Sequence, residues 1–305
     1  MTETVQAIPF WSRGSRKLKF FRNIVNLVSA AYIVLLLLVA LFAPVIAPYH
    51  YDFEDTTRYS VTPSPPDKNH WLGTDEVGED VLSRLMYGAR VSLGVALVAV
   101  TIEICIGLPF GLAAGFYGRF TDTVLMRFTD GMFAFPDILL AILLRAAIAP
   151  PSGQPLPPTL NIATLFLALG VVQWPSLARL VRGQAMSLRD REFVDAARVS
   201  GMRNGAIIRR HILPNLAGPV VVQITQDLAG VILAEATLSF LGLGVLPPYP
   251  SWGYMIYDAL PQMQAHPILL LAPGILLALT VMAFNFLGDG LSDYMDPKRN
   301  QRGQN

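Results

Sequence analysis

The sequence is poor in charge and in cysteine. Charged residues make up 15% of the 305 positions, whereas a soluble domain contains about 25%. The single cysteine, Cys105, excludes an intrachain disulfide and any zinc or iron–sulfur site built from several cysteines. We therefore expect neither a disulfide-stabilised secreted domain nor an ordinary soluble one.

Signatures of nucleotide and metal chemistry are also missing. A P-loop needs a lysine that follows a glycine, and none of the four lysines does so (Lys17, Lys19, Lys68 and Lys298). The four histidines lie far apart, without the spacing of a metal site (His50, His70, His211 and His266). We expect no catalytic residue, cofactor or metal in this chain, and no nucleic-acid partner.

Long apolar blocks dominate what is present. Hydrophobic residues make up 53% of the chain, with a mean hydropathy of +0.46, and a membrane-spanning helix needs about 20 such residues in a row. The pattern predicts an all-α polytopic membrane protein with six transmembrane helices. The blocks are residues 24–47, 89–116, 130–150, 159–182, 217–242 and 267–289. The first block is too long for a signal-peptide core, and Pro136 predicts a bend in the third.

Charge in the connecting segments predicts the topology. Residues 1–23 hold five bases and one acid, residues 48–84 hold eight acids and three bases, and arginines return at 179–210. Because basic loops stay on the cytoplasmic side, both termini are expected to be cytoplasmic. The predicted parts are a cytoplasmic N-terminus (1–23), a first transmembrane helix (24–47), an extracytoplasmic segment (48–88), a five-helix core (89–290) with a cytoplasmic loop at 183–215, and a cytoplasmic tail (291–305).

The extracytoplasmic segment ends in an amphipathic pattern. Asp75 is a candidate N-cap for a short helix through Val81, Leu85 and Met86, which share one face. We expect this helix to lie along the membrane surface, separate from the second span.

The stretch EFVDAARVSGMRNGAIIRRHILPN, residues 192–215, interrupts the apolar blocks. Its spacing predicts a short helix that Gly201 ends, followed by a second helix that Asn204 caps and Pro214 ends. An amphipathic loop on anionic lipid headgroups fits this pattern as well as a docking element does.

Four separated motifs resemble the permeases of ABC importers, specifically the C-type subunit of the dipeptide/oligopeptide/nickel branch. The run from Asp195 through Gly201 to Pro214 matches the signature loop EAA-x3-G-x9-I-x-LP, with Asp195 for Glu and His211 for Ile. The others are HWLGTDEVGEDVLSRLMYGARVSLGVALVAV, LSFLGLGVLPPYPSWGYMI and NFLGDGLSDYMDPKR, with Glu79 and Ser292 where the branch often has Arg. The resemblance covers nearly the whole chain.

This resemblance implies a type I ABC-importer permease fold in the cytoplasmic (inner) membrane of a prokaryote, surrounded by membrane lipid. It also implies a sister permease or a second copy, an extracytoplasmic solute-binding protein, and two ABC ATPase subunits that carry ATP and Mg. Residues 192–200 would form the coupling helix, with Phe193, Val194, Ala196 and Ala197 as the apolar face for an ATPase groove. The implied coupling residues are Glu192, Phe193, Asp195, Ala196, Ala197, Arg198, Gly201 and Pro214.

Ionisable residues inside membrane spans indicate a polar pathway or buried pairs. A few such residues fall within the predicted spans, among them Glu103, Asp137, Arg145, Asp227 and Glu235. About 80° of helical rotation separates Asp227 from Glu235, so we expect both to face one cavity. The candidate pathway or gate residues are Asp227, Glu235, Ser239, Gly242 and Gly244.

Several readings of the function remain open from the sequence. Di- or oligopeptide import is the first, and nickel chelates, glutathione or sugars are alternatives within the branch. An intramembrane enzyme or an ion-coupled transporter that uses Asp227 and Glu235 is the alternative from another class. Inverted repeats, which favour an ion-coupled transporter, are not evident in the sequence.

Overall fold

The computed structural model describes residues 23–55, 63–148 and 157–295. The basic N-terminus, the uncharged loop at 150–156 and the tail from 296 lie outside these ranges, so the cytoplasmic placement of both termini stays a prediction. Within the described ranges the regular secondary structure is helical apart from two isolated β-bridges, and turns and loops connect the helices. The helices are α1 (Ile24–Ile46), α2 (Val81–Tyr117), α3 (Arg119–Phe133), α4 (Asp137–Ile148), α5 (Pro158–Arg189), α6 (Glu192–Val199), α7 (Asn204–Ile207), α8 (Leu213–Phe240), α9 (Trp252–Asp258) and α10 (Ile268–Met295).

The first predicted span is confirmed as α1. The Asn23 side chain accepts a hydrogen bond from the Val25 N–H at 3.0 Å and so caps the helix. One face of α1 packs on α2 and α10, where the Tyr32 hydroxyl lies 3.1 Å from the Thr280 hydroxyl. The opposite face is apolar and exposed, as expected for a helix beside lipid.

The prediction of a separate interfacial helix before the second span is wrong. Val81 and Leu85 belong to α2, a single helix of 37 residues, and both are buried in the core. Asp80 caps this helix, because its Oδ2 accepts the Ser83 N–H at 2.7 Å. Asp75 instead accepts the Val77 and Glu79 N–H groups in the preceding turn. Because the first turn of α2 is buried in the protein, the apolar face of the amphipathic pattern packs on the core and does not lie on the membrane surface.

The third predicted block is bent, as expected, but it begins earlier. Helices α3 and α4 meet at 89° across a break that contains Pro136. The charged residues of α3 interrupt the apolar pattern, so the sequence did not indicate that a helix begins at Arg119. In the structure these residues pair with α5 across the helix interface. Asp122 forms an ion pair with Arg182, and Asp130 accepts from Arg179 at 2.7 Å.

Helix α8 shows that Pro214 does not end a helix, which corrects the prediction. A π-helical turn (Ile208–Ile212) joins α7 to α8, and the Leu213 N–H donates to the Ile208 carbonyl five residues back. A proline lacks an N–H and crowds the preceding turn, and the wider turn accommodates it. Asn204 is the first residue of α7 and not its cap.

Among the described residues, five helical segments are long and apolar enough to cross a membrane, and the number is six if the bent pair α3–α4 forms one span. Helices α2 and α5 form the most extensive contact between elements. Their packing, together with α8 and α10, sets the positions of the polar residues within the spans.

Candidate coupling segment and membrane pathway

One face of α6 packs against the rest of the chain. Val194 is fully buried and Ala197 is 7% exposed, and both enter an apolar cluster at this end of the molecule. The other buried members come from α2, α5, α7, the π-helical turn and α8 (Phe116, Leu177, Val181, Ala185, Ile207, Ile212, Leu216 and Val220). The position of α6 is therefore coupled to three long helices.

The opposite face of α6 is exposed and partly apolar. Phe193 is 41% exposed, Val199 is 89% exposed, and Ala196 lies between them. Two of the four residues expected on a partner face, Val194 and Ala197, turn inward instead. Val199 was missed, although its spacing of three from Ala196 places it on the same helical face.

Charged residues surround this outer face. Glu192, Asp195 and Arg198 are all exposed, and the Arg198 guanidinium donates to Asp195 at 3.0 Å. The Phe193 ring lies 6.2 Å from the His211 ring, between ring centroids. The outer face of α6 thus has an apolar centre and a charged rim, an arrangement typical of protein interfaces.

Gly201 ends α6 as the sequence predicted. Its N–H donates to the Arg198 carbonyl at 2.9 Å, and the Met202 N–H donates to the Ala197 carbonyl at 3.1 Å. These two bonds form a Schellman motif, which requires a left-handed residue at this position. Gly201 has φ of +76°, and no atom lies within 4 Å of an added Cβ, so the backbone angle alone selects glycine.

Glu235 does not face a cavity, which corrects the prediction. Its side chain is fully buried, and three serine hydroxyls from α2, α8 and the cap of α9 bond to it. Ser239 donates to Oε1 at 2.7 Å, Ser92 donates to Oε2 at 3.3 Å, and Ser251 provides the third bond. We call Glu235 with Ser92, Ser239 and Ser251 the serine cluster; it ties three helices together.

Gly242 and Gly244 follow directly after α8. Gly242 has φ of +74° and donates its N–H to the Ser239 carbonyl at 2.9 Å, while Leu243 donates to Leu238, so a second Schellman motif ends this helix. The Gly244 backbone lies directly against Ser239, and its carbonyl accepts from Arg145 of α4 at 3.2 Å. The candidate gate residues Gly242 and Gly244 therefore belong to the connection that follows α8, next to the serine cluster, and Ser239 is a member of that cluster.

Asp227 pairs with Glu103 and not with Glu235. The two carboxyl groups are neighbours on α2 and α8, and Asp227 Oδ2 and both Glu103 oxygens are buried without a hydrogen-bond donor among the described residues. Gln223 donates to Asp227 Oδ1 at 2.9 Å from one helical turn away. Glu103 fell in a predicted span but was not selected as a pathway residue, because its partner lies far away in sequence.

A cavity of about 460 Å³ opens between α5, α8 and α10, and Gln223, which donates to Asp227, is one of its lining residues. Gln223, Gln226 and Ser292 supply its polar wall, and Leu180, Pro219, Val222 and Met295 supply the apolar wall. In the described ranges, no three His, Cys, Asp or Glu residues come together to hold a metal ion.

A charged network lies at the opposite end of the molecule from α6. The Arg84 guanidinium pairs with Asp75 at 2.9 Å and also with Glu79, and all three side chains are largely buried. Burial raises the pKa of Asp75, and Arg84 opposes this shift. Burial likewise raises the pKa of the nearby Asp258.

Two family models match the chain. The model described as binding-protein-dependent transport system inner membrane component matches residues 107–301. The model described as N-terminal TM domain of oligopeptide transport permease C matches residues 10–66.

Named relatives align over almost the full length. A dipeptide transport system permease protein of Alkalihalophilus pseudofirmus is 40% identical, covering 96% of this chain and 91% of the relative. An oligopeptide transport system permease protein of Haemophilus influenzae is 40% identical, covering 94% and 88%. A glutathione transport system permease protein of Escherichia coli is 40% identical, covering 95% and 89%.

The fold also has a solved counterpart. A chain of the inward-facing MetNI methionine ABC transporter matches with a TM-score of 0.54 and 20% identity, covering 70% of this chain and 96% of that one. At this identity the similarity concerns the fold, and it agrees with a type I importer permease.

Proposed function

This chain belongs to the family of binding-protein-dependent transport system inner membrane components, and we propose that it forms half of the membrane pathway of an ATP-driven importer of small peptides. Membership makes it a non-catalytic permease subunit that works with separate ATPase components. The proposed assembly adds a sister permease, two ABC ATPase subunits and an extracytoplasmic solute-binding protein. ATP and Mg would be held by the ATPase subunits.

Small peptides are the proposed substrate class because the relatives agree on it. The three relatives named above are described as transporters of dipeptides, oligopeptides and glutathione, and glutathione is itself a tripeptide. Nickel chelates and sugars have no counterpart among these names. The near-complete alignments at 40% identity are the observation that carries the proposal.

The α6 end of the molecule is placed in the cytoplasm in this proposal. The outer face of α6, with Phe193, Ala196 and Val199 at its centre, would enter a groove on an ATPase subunit. Glu192, Asp195 and Arg198 would contact the groove's polar edge. Ala197 and Gly201 would hold α6 at a fixed angle, and Pro214 lies at the start of α8, behind it.

This geometry can transmit a movement of α6 to the long helices. Helix α5 leads into α6 with a two-residue turn, and α6 packs against α2, α5 and α8 through Val194 and Ala197. A movement of the ATPase subunits on binding ATP would therefore displace α6 together with the ends of these long helices. Packed interiors shift as units, so the displacement would reach the polar residues around Asp227.

Reconstitution tests the function. The permease pair and ATPase subunits would be placed in liposomes with the solute-binding protein loaded with labelled alanylalanine. ATP-dependent accumulation of the dipeptide is the expected result. Accumulation without ATP, or none with a loaded binding protein and active ATPases, would contradict the proposal.

A further inference from the structure

The contact between Glu103 and Asp227 requires a proton. The Glu103 side chain is completely buried, and neither of its oxygens meets an N–H or O–H donor in the described part of the chain. An ionised carboxylate can only accept hydrogen bonds. Two facing carboxylates would repel, and carboxyls that share a site therefore retain one proton between them.

A negative charge on this pair is stabilised better on Asp227 than on Glu103. Asp227 is half-buried and receives the Gln223 amide N–H at 2.9 Å, whereas Glu103 receives no such bond. A hydrogen-bond donor stabilises the charged form of a carboxyl group. Among the described residues, no Lys, Arg or His forms an ion pair with either group. The pair is thus a single negative charge inside the spans without a counter-ion.

Asp227 also fixes the orientation of Gln223. Because a carboxylate only accepts, the amide turns its NH₂ toward Asp227, and no described residue donates a hydrogen bond to the Gln223 carbonyl oxygen. Gln223 lines the 460 Å³ cavity, whose other polar lining residues, Gln226 and Ser292, are neutral. This volume lies within the range of about 300–1,000 Å³ that small-molecule sites occupy.

We propose that Gln223, oriented by Asp227 and Glu103, accepts a hydrogen bond from the protonated amino group of the peptide as it passes through the cavity. This inference rests on the proposed peptide import. An ammonium group offers only donors, so it can bond to the amide oxygen of Gln223. The carboxylate of Asp227 accepts from the nitrogen of the same amide. Gln223 contacts the ligand; Asp227 and Glu103 are positioning residues.

Equilibrium binding to the permease–ATPase complex in lipid nanodiscs, without the solute-binding protein, tests the site directly. The probes are labelled alanylalanine and N-acetylalanylalanine, which differ in the charged amine. The wild-type complex is expected to bind the free amine about tenfold more tightly, the scale of a hydrogen bond to a charged group. Asp227→Asn should lose this preference, because asparagine does not force the orientation of Gln223.

Two further variants separate positioning from a general structural effect. Glu103→Gln should keep the preference, because its amide N–H takes the place of the shared proton. Gln226→Ala alters the same cavity wall and should also keep it. Loss of the preference in Glu103→Gln would contradict the shared proton.

The proposal is overturned if Asp227→Asn binds the two probes with the wild-type ratio, or if the wild-type complex does not distinguish them. Uptake of alanylalanine by the wild-type transporter in liposomes is measured in parallel. A transporter that imports the dipeptide without distinguishing the amine refutes only this inference. One that imports no peptide refutes the proposed function.

Discussion

A Cβ atom added to Gly111 of α2 would lie 2.5 Å from the Ala178 carbonyl oxygen of α5. The contact repeats along the interface, since Gly107 and Gly115 meet Trp174 and Arg182 in the same way. Glycines spaced by four residues line one helical face and let two backbones approach closely in a membrane. This close approach fixes α5, and through it α6, relative to α2.

Gly111→Ala should therefore destabilise the permease by about 1–3 kcal/mol, the range for overpacking a filled interface. Gly94 lies on the same helix with no atom within 4 Å of an added Cβ, so Gly94→Ala is a matched control. That control should be neutral or slightly stabilising, because alanine favours helix. Thermal unfolding of the purified variants measures both, and equal melting temperatures would argue against the close packing.

Gly201→Val should abolish coupled transport while the chain still inserts into the membrane. Valine in a left-handed conformation costs about 1–2 kcal/mol, and relief of that strain would change the exit angle of α6. Gly201→Asn is the control, because asparagine tolerates this conformation. The measurement is the stimulation of ATP hydrolysis by the loaded solute-binding protein. If Gly201→Val still shows this stimulation, coupling does not require the Schellman turn.

Phe193→Asp should prevent association with the ATPase subunits and leave the permease folded. Phe193 is 41% exposed, and substitutions at such positions typically change stability by about 0.5 kcal/mol or less. Val194→Ala is the complementary variant on the buried face, and it should lower stability and keep the docking surface. Co-purification with the ATPase subunits distinguishes them, and full retention by Phe193→Asp would exclude this face as the interface.

Glu235→Ala should destabilise the chain by about 2–4 kcal/mol, because it leaves a cavity and three serine hydroxyls without their acceptor. Glu235→Gln keeps an acceptor oxygen and should lose less. A folded Glu235→Gln transporter is expected to import at near the wild-type rate. A selective loss of transport with unchanged melting temperature would instead place Glu235 on the pathway.

Asp258 gives the stability a defined pH dependence. Burial raises its pKa above 3.8, so the folded state binds the proton more tightly than the unfolded state. The resulting stabilisation is complete below the unfolded pKa and is lost as the pH rises through the folded pKa. Asp258→Asn should flatten this part of the melting-temperature profile and be no less stable at pH 7; an unchanged profile would contradict the assignment.

The sequence by itself determined the membrane class, the spans and the turn at Gly201. Long apolar blocks and a glycine after an amphipathic helix are local signals, and each predicts its element without knowledge of distant residues. The four family motifs likewise stand in the sequence. The glycine repeat of α2 was also readable there as a close-packing signal, although its partner helix was not.

Tertiary structure decided which polar residues meet. Helical rotation placed Asp227 and Glu235 near one face, but the packing of α2 against α8 gives Asp227 the Glu103 carboxyl and gives Glu235 three serines. It also turned Val194 and Ala197 inward and merged the expected interfacial helix into α2. These outcomes depend on contacts between residues far apart in the chain, and no local periodicity encodes such contacts.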